Sequence, residues 1–440
     1  MSAHPVTFLD QIVAEQEAGR ALGIPSICSA NPWVLQATLR HGLERGQPVL
    51  IESTCNQVNQ FGGYTGMTPA DFVNFVGKMA RQVGFPLERI LLGGDHLGPN
   101  PWRDEPAQQA MAKARSLVAI YVEAGYTKIH LDASMACADD DPARPLPTEV
   151  IAQRAAELAQ VAEATHHRLG LAPSTPPPRY VIGTEVPIPG GAQEPEEGLA
   201  VTPPEEVAET IRVTREAFLA RGLDQAWERV VAVVVQPGVE FGHDVVFPYD
   251  PVRAAPLARF MEEQAGLVYE AHSTDYQTLP ALRALVRDHF AILKVGPALT
   301  FALREGVFAL AMVEEELLAA GGQGEPSGIR EALEEAMLAH PQHWRRYYPG
   351  PAAAQRLARR YSFSDRIRYY WPAPSVQAAL DRLLRNLSAA PIPLPLLSQF
   401  LPEQYRRIRE GRLANRPQEL LLDKIRSVLE EYARACDGGE

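Results

Sequence analysis

Residues 90–102 place an acid and an imidazole, Asp95 and His96, directly after a short apolar run. Four apolar or small residues are typical of a buried strand, and Pro99 and Pro101 prevent the segment after His96 from continuing as sheet. We therefore expect Asp95 and His96 at the carboxyl end of a strand, where parallel α/β folds place their active sites. For a single pair of this kind, the alternative is that Asp95 caps the following turn while His96 only packs. The interpretation therefore depends on whether similar residues recur at the ends of other strands.

Ionisable or hydrogen-bonding residues recur at the ends of nearly all the other predicted strands. They are Glu52, Asp132 with Ser134, Glu185, Gln236 followed by Glu240 and His243, Glu270 with His272 and Ser273, and Lys294. The carboxyl ends of parallel strands share one rim of a barrel, so we expect these side chains to converge on one pocket. The functional prediction rests on this joint pattern and not on any single residue.

Three of the residues, His96, His243 and His272, suit a divalent metal. Neutral imidazole binds Zn, Mn or Co, and strand ends hold ligands rigidly. The metal is left open among Zn, Mn, Co, Ni and Mg. Three protein ligands leave a position open for substrate, with Glu185 as a fourth or exchangeable ligand. The alternative for His243, which lies in a glycine-flanked loop, is a solvated side chain.

Three carboxylic acids, Asp95, Glu185 and Asp132, are the candidates for catalytic acid and base. A carboxylate beside a cation and a second carboxylate has a tunable pKa, so each can exchange a proton with a substrate hydroxyl. Lys294 ends the eighth predicted strand, where it would form a Schiff base, contact a phosphate or serve as a structural lysine.

The loops after the seventh and eighth strands are candidates for a phosphate site. Residues 273–274 and 296–300 lie where barrels often build a phosphate cradle from backbone N–H groups and a helix start. We predict substrate or phosphate contacts from Asn31, Glu52, Ser134, Ser273, Thr274, Lys294 and Arg368.

Eight repeats of a strand followed by a helix are needed to position these residues. The predicted strands are 24–30, 49–54, 90–93, 128–134, 180–185, 230–236, 267–272 and 291–296. Alternating strand and helix patterns predict a parallel sheet, and eight units is the count of a (β/α)8 TIM barrel. A doubly wound open sheet is the alternative, but residues 31–33 after the first strand lack its glycine-rich phosphate fingerprint.

From about residue 310 the strand patterns stop and only helices are predicted. We divide the chain into a catalytic barrel, residues 1–309, and a helical extension, residues 310–440, that packs on the barrel or forms an interface. Two blocks of the extension, 344–348 and 366–371, mix arginines with aromatic residues. They line a phosphate site or a subunit interface, or they are packed aromatics with arginines reaching solvent.

The composition is that of a soluble globular protein, with 46% hydrophobic and 22% charged residues. A formal net charge of -12 disfavours non-specific binding to nucleic acid or anionic membrane. The 4 cysteines are scattered and form no CxxC pair, which argues against a disulfide framework and a structural zinc site. No signal peptide or membrane-spanning run is evident. We therefore expect a cytoplasmic protein without nucleic-acid or membrane partners, and a homo-oligomer.

The chain also resembles, almost end to end, the family of accessory, chaperone-like subunits of class II D-tagatose-1,6-bisphosphate aldolase. Some members of that family are ketohexose-phosphate 4-epimerases. The resemblance rests on long and unusual segments: residues 29–32, 52–60, 93–100, 130–135, 183–187, 270–276 and 366–371.

A fainter similarity links the chain to the catalytic class II aldolases. Their metal barrel carries an Asp-His pair after a strand, a Glu followed by paired glycines, and a later His leading a phosphate loop. Asp95 with His96, Glu185 with the glycines at 190–191, and His272 with Ser273 stand in those places. Residues 273–276 replace the glycine-rich phosphate loop, which favours a substrate with one phosphate over unchanged bisphosphate cleavage.

The resemblance implies two classes of function. In the first, a metal holds the oxygens at C3 and C4 of a ketose, Asp95 or Glu185 removes the O4 proton, and the C3–C4 bond breaks and reforms on the other face. That reaction interconverts fructose 6-phosphate and tagatose 6-phosphate. In the second, an inactive barrel stabilises a catalytic aldolase subunit, with the helical extension as interface. The acids and imidazoles at the strand ends favour the enzyme, because a scaffold has no physical need for them.

Overall fold

The strands of this chain form a closed parallel barrel. A computed structural model describes residues 6–141, 143–170, 176–183, 199–321 and 324–438. Its strands are β1 (Ile24–Cys28), β2 (Val49–Thr54), β3 (Ile90–Leu97), β4 (Lys128–Leu131), β5 (Arg179–Ile182), β6 (Val230–Val234), β7 (Glu240–Phe241), β8 (Val246–Phe247), β9 (Val268–Ala271) and β10 (Phe290–Val295). Strands β1 to β6, β9 and β10 pair in parallel in that order, and β10 pairs with β1, which confirms the predicted TIM barrel.

The barrel interior is apolar at its amino-terminal end. Leu50, Leu91, Val181 and Ile292 pack there with the α1 (Val6–Glu17) residue Leu9, so that helix closes the bottom of the barrel. Strands buried on both faces favour continuous β-branched runs, and all five residues of β6, Val-Val-Ala-Val-Val, are buried. The polar strand residues are left for the opposite, carboxyl-terminal end.

The helices surround the barrel and then continue into the extension. After α1 they are α2 (Pro32–Arg45), α3 (Pro69–Val83), α4 (Ala107–Glu123), α5 (Thr148–Arg168), α6 (Pro204–Leu219), α7 (Asp224–Trp227), α8 (Pro251–Glu262), α9 (Leu279–Arg287), α10 (Pro297–Ala319), α11 (Ile329–Ala339), α12 (Ala352–Tyr361), α13 (Pro374–Ser388), α14 (Leu394–Phe400), α15 (Pro402–Arg409) and α16 (Pro417–Cys436). Many begin with proline, whose fixed φ suits the first turn. Across the described part of the chain, none of them is long and apolar enough to cross a bilayer.

The extension is interleaved with the barrel. The predicted boundary after residue 309 falls inside α10, which follows the last barrel strand without a break in its apolar pattern. Helix α16 returns to pack against α2, α9 and α10. The backbone N–H of Gly23 donates to the carbonyl of Cys436 at 2.9 Å, and Arg40 pairs with Glu419.

Strand β3 is longer than the sequence predicts. It runs to Leu97 instead of ending at Gly93, because Leu97 pairs with Leu131 of β4 and its carbonyl accepts from the N–H of Asp132 at 3.1 Å. Asp95 and His96 therefore lie within the last residues of the strand. His96 has a φ of 50°, a left-handed conformation that is uncommon for any residue but glycine.

Candidate functional site

Alternate residues of several strands fill the carboxyl-terminal half of the barrel with charged and imidazole side chains. Side chains two apart on a strand point the same way, so Lys128, His130 and Asp132 share one face, as do Glu270 and His272. We call this group the inner cluster: Glu52, Asp95, His96, Lys128, His130, Asp132, Glu270, His272 and Lys294. Each of these residues is buried, and none is more than 6% exposed.

Two lysines bind the carboxylates of the inner cluster. The Nζ of Lys128 contacts Glu52 and lies 2.6 Å from Oε2 of Glu270, while the Nζ of Lys294 contacts Asp95 and lies 3.5 Å from Oε2 of Glu52. Burial alone would lower the pKa of each lysine, but the neighbouring carboxylates outweigh it and raise the pKa. Both lysines are therefore ammonium groups at neutral pH.

Glycine at position 93 makes room for one of these carboxylates. A Cβ at Gly93 would lie 2.5 Å from Oε1 of Glu52, closer than atoms can approach. Since Gly93 and Glu52 are paired across β2 and β3, a larger residue there would displace the carboxylate that Lys128 binds. The glycine at position 93 thus has a packing reason.

Each imidazole of the inner cluster is paired with a carboxylate. Nδ1 of His96 lies 2.8 Å from Oδ2 of Asp132, and Nδ1 of His130 lies 2.9 Å from Oδ1 of Asp95. Nε2 of His272 lies 3.0 Å from Oε1 of the Glu270 carboxylate. The three ring centroids form a triangle with sides of 5.0, 5.2 and 5.3 Å. Carboxylates that orient imidazoles in this way are typical of metal sites.

The electrostatics of the cluster keep Asp95 ionised and His272 neutral. Burial would raise the pKa of Asp95, but His96, Lys294 and His130 outweigh it and hold the pKa well below its usual range. Burial, reinforced by Lys294, lowers the pKa of His272 well below its usual value. A neutral imidazole is the form that binds a metal, and an ionised carboxylate is the form that accepts a proton.

The donor set of the inner cluster fits a divalent cation. Asp95, His130, Glu270 and His272 each offer one ligand atom, and these atoms lie within 4.8 Å of one another. Four carboxylates and two ammonium groups give the cluster a net charge of about -2 when the imidazoles are neutral. Among the described residues, Nε2 of the buried His130 has no hydrogen-bond partner. A dication would both neutralise the cluster and occupy that nitrogen.

The structure brings two of the three predicted metal ligands together. His96 and His272 belong to the inner cluster, whereas His243 lies in the turn between β7 and β8 with 47% of its side chain exposed. Its Nδ1 is 3.2 Å from Oδ1 of Asp244, and its carbonyl accepts from the N–H of Phe363 at 2.9 Å. His130 is the third imidazole of the cluster. Its place within the alternating polar residues of a buried strand is the sequence signal for it.

A cavity of about 360 Å³ opens above the inner cluster. Its barrel side is lined by Asp95, His96, His272, Ser273 and Lys294, and its other side by residues of the extension: His343, Arg346, Tyr347, Arg366, Arg368 and Tyr369. Small-molecule sites are commonly about 300–1,000 Å³. The cavity is therefore large enough for a small ligand, with acids and imidazoles at one end and guanidinium groups at the other.

The predicted contact residues divide between the cavity and its support. Ser273, Lys294 and Arg368 line it. Asn31 accepts the N–H of Trp33 at 2.9 Å and so caps α2. The remaining three, Glu52, Ser134 and Thr274, bond to other residues around the cavity: Lys128, Asp132 and the carbonyl of Lys294 respectively. The predicted catalytic residue Glu185 lies outside the described residues.

The predicted phosphate cradle at the start of α10 is filled by the chain itself. Oδ1 of Asp275 accepts from the backbone N–H groups of Gly296 at 3.0 Å and Ala298 at 2.8 Å. These are the donors that an anion at the amino terminus of α10 would use. Burial raises the pKa of the Asp275 carboxyl to about 6, partly offset by these two hydrogen bonds.

Comparisons with known proteins identify a family and a similar structure at high identity. The model of the D-tagatose-1,6-bisphosphate aldolase subunit GatZ/KbaZ-like family matches residues 9–437. A crystal structure described as a probable tagatose 6 phosphate kinase from Sinorhizobium meliloti 1021 is 49% identical, with a TM-score of 0.85, and covers 94% of this chain and 100% of its own.

Two aldolase structures are more distant. The YdjI aldolase from Escherichia coli K12 is 11% identical with a TM-score of 0.42, over 87% of this chain and 96% of its own. Fructose-bisphosphate aldolase from Campylobacter jejuni is 13% identical with a TM-score of 0.44, over 87% and 91%. The fold assignment rests on the sheet topology and not on these two similarities.

Proposed function

This chain belongs to the D-tagatose-1,6-bisphosphate aldolase subunit GatZ/KbaZ-like family, and from that premise we propose that it is a metal-dependent 4-epimerase of a ketohexose phosphate. The proposed reaction interconverts fructose 6-phosphate and tagatose 6-phosphate. The observation that carries the proposal is the inner cluster, four of whose residues, Asp95, His96, His272 and Lys294, line the cavity. The name of the similar Sinorhizobium meliloti protein points to the same class of substrate, a phosphorylated ketose.

Asp95 is the base in this proposal. It is ionised, it lines the cavity, and it is held by Lys294 and His130, so it is oriented to accept the proton of the substrate hydroxyl at C4. As that proton leaves, the C3–C4 electron pair passes to the three-carbon fragment and C4 becomes an aldehyde. When the aldehyde presents its other face, the bond reforms and Asp95 returns the proton, which inverts C4.

The other groups of the inner cluster bind the metal ion or orient the residues around it. His130, Glu270 and His272, with Asp95, would hold the metal ion, and the ring of His96 lies beside them. A divalent cation bound there lowers the pKa of a substrate hydroxyl and stabilises negative charge on oxygen.

Asp132 lies behind His96 and also accepts from the hydroxyl of Ser134 at 2.6 Å, so we assign it to positioning His96 and not to proton transfer.

A non-catalytic role as the stabilising subunit of a catalytic aldolase is the second candidate, and the family description, which calls its members aldolase subunits, favours it. The inner cluster supports the enzyme instead. Burying four carboxylates and two ammonium groups costs several kcal/mol per ion before their pairing is counted. A scaffold gains nothing from that cost, whereas a catalytic site needs such groups.

The purified chain should be incubated with fructose 6-phosphate in the presence of Zn, Mn, Co, Ni or Mg, and the sugars resolved after dephosphorylation. We expect tagatose to form, and chelation of the metal to stop it. His130→Ala should lose both bound metal and turnover, whereas the matched control His243→Ala should keep both. No conversion under any metal, joined to activation of an added class II aldolase, would assign the accessory role instead.

A further inference from the structure

A buried arginine of the extension faces the cavity with unused hydrogen-bond donors. Arg366 is 3% exposed, and among the described residues its Nε and Nη2 have no hydrogen-bond partner. Its Nη1 lies 3.3 Å from the hydroxyl of Tyr369, and its Cζ stacks 3.3 Å from the ring centroid of Tyr347. A buried guanidinium without acceptors is costly, so these two nitrogens indicate an anionic ligand.

A second arginine points to the same place. Arg366 and Arg368 lie on one short 3₁₀ helix (Arg366–Tyr369), and Nη2 of Arg368 donates to the Tyr369 hydroxyl at 3.1 Å. Burial alone would raise the pKa of Tyr369, but the guanidinium groups of Arg368 and Arg366 outweigh it and lower the pKa. The His343 ring stacks on Tyr369 at 4.7 Å. This end of the cavity is therefore strongly electropositive.

The usual anion site of a barrel is closed in this chain. The amino terminus of α10 follows the last strand, where a phosphate would be bound by backbone N–H groups, but Asp275 accepts from them. A second anion there would meet a carboxylate already in place. Among the lining residues that the structure describes, the guanidinium groups that remain for an anion belong to the extension.

We propose that Arg366 and Arg368 bind the phosphate group of a monophosphorylated ketose, and that this pair determines the preference for the phosphorylated over the free sugar. A phosphate monoester carries nearly two negative charges at neutral pH and matches the planar fork of a guanidinium. The proposal rests on the proposed function for the sugar, and it extends that function by assigning the recognition of the phosphate to the helical extension.

The test is calorimetric binding of inorganic phosphate, fructose 6-phosphate and fructose to the full chain, with Arg366→Gln, Arg366→Lys and Arg345→Gln. Arg345 is an exposed arginine of the same extension that does not line the cavity, which makes it the matched control. Arg366→Gln should weaken both phosphate and fructose 6-phosphate binding about ten- to a hundredfold, the range expected for hydrogen bonds to a charged group. Arg366→Lys, which keeps the charge without the fork, should be intermediate.

The possible outcomes test the anion site and the proposed epimerase activity separately. Phosphate binding that Arg366→Gln weakens and Arg345→Gln does not, in a chain that never epimerises, would support the anion site and refute the activity. Equal phosphate affinity in the wild type and in both Arg366 variants, or no phosphate binding by the wild type, would overturn the anion site even if epimerisation is observed. A hexuronate serves as a fourth ligand, and tighter binding of it than of fructose 6-phosphate would reassign the anion as a carboxylate and overturn the phosphate assignment.

Discussion

Replacing Lys128 with methionine should destabilise the protein strongly, although the shape of the side chain stays almost unchanged. Lys128 is fully buried and contacts two carboxylates, those of Glu52 and Glu270. At the 2.6 Å separation from Glu270, and with an effective dielectric constant of about 20, the attraction is roughly 6 kcal/mol before the cost of burial. Methionine leaves two buried carboxylates with one fewer partner. We expect the free energy of unfolding to fall by about 3–5 kcal/mol.

The assay is urea unfolding at neutral pH of Lys128→Met, Glu270→Gln and the double variant. The double variant removes a charge of each sign, so it should recover part of the loss, and the cycle should give a coupling energy of at least about 1 kcal/mol. Removing an ammonium group also makes the cluster more negative, so Lys128→Met should still bind a divalent cation. A loss below about 1 kcal/mol with no coupling would refute the view that Lys128 is a charged partner of both acids.

Two further predictions concern stability. Burial lowers the pKa of His41 from 6.5 to about 4, so the unfolded chain binds more protons between those values. The contribution of His41 to the free energy of unfolding is complete above pH 6.5. It should be lost as the pH falls towards 4, which lowers the free energy of unfolding by about 3 kcal/mol in all. His41→Leu should make the free energy of unfolding by urea less dependent on pH in that window. The same slope of this free energy against pH in the variant and the wild type would contradict the prediction. Gly93→Ala should push Glu52 aside and cost about 1–3 kcal/mol, whereas Gly77→Ala inside α3, where a Cβ has room, should be neutral or stabilising; equal effects would remove the packing argument.

The fold could be predicted because each strand and helix carries a local signal. The alternation of apolar runs with helical spacing gives eight units, and helix starts such as Thr68 before Pro69 are marked by capping residues. The prediction is wrong where the pairing between strands determines the residue at which a strand ends. Leu97 stays in β3 because Leu131 is its neighbour, and no property of residues 94–97 alone indicates that.

The sequence pattern points to seven of the nine residues of the inner cluster and misses Lys128 and His130. Asp95, His96 and His272 stand where strands end, and the sequence pattern points to them. Lys128 and His130 lie inside a buried strand. Their common orientation becomes evident only when the alternation of side chains along the strand is taken into account. Nor does the sequence show that Arg366 lines the same cavity as Asp95 and His272, since these residues lie far apart in the chain.

The return of α16 to the barrel has a consequence for how the protein folds. The strand β1 and the helix α2 are synthesised early, yet they pack against residues 417–436, and Gly23 bonds to Cys436. Contacts of such long sequence separation form late and slowly, because the closure entropy of the intervening chain opposes them. While the ribosome is still making the extension, the apolar faces of α2 and α9 that α16 covers stay exposed. We therefore expect the nascent chain to expose these apolar faces until α16 is complete, a state prone to aggregate and suited to capture by chaperones.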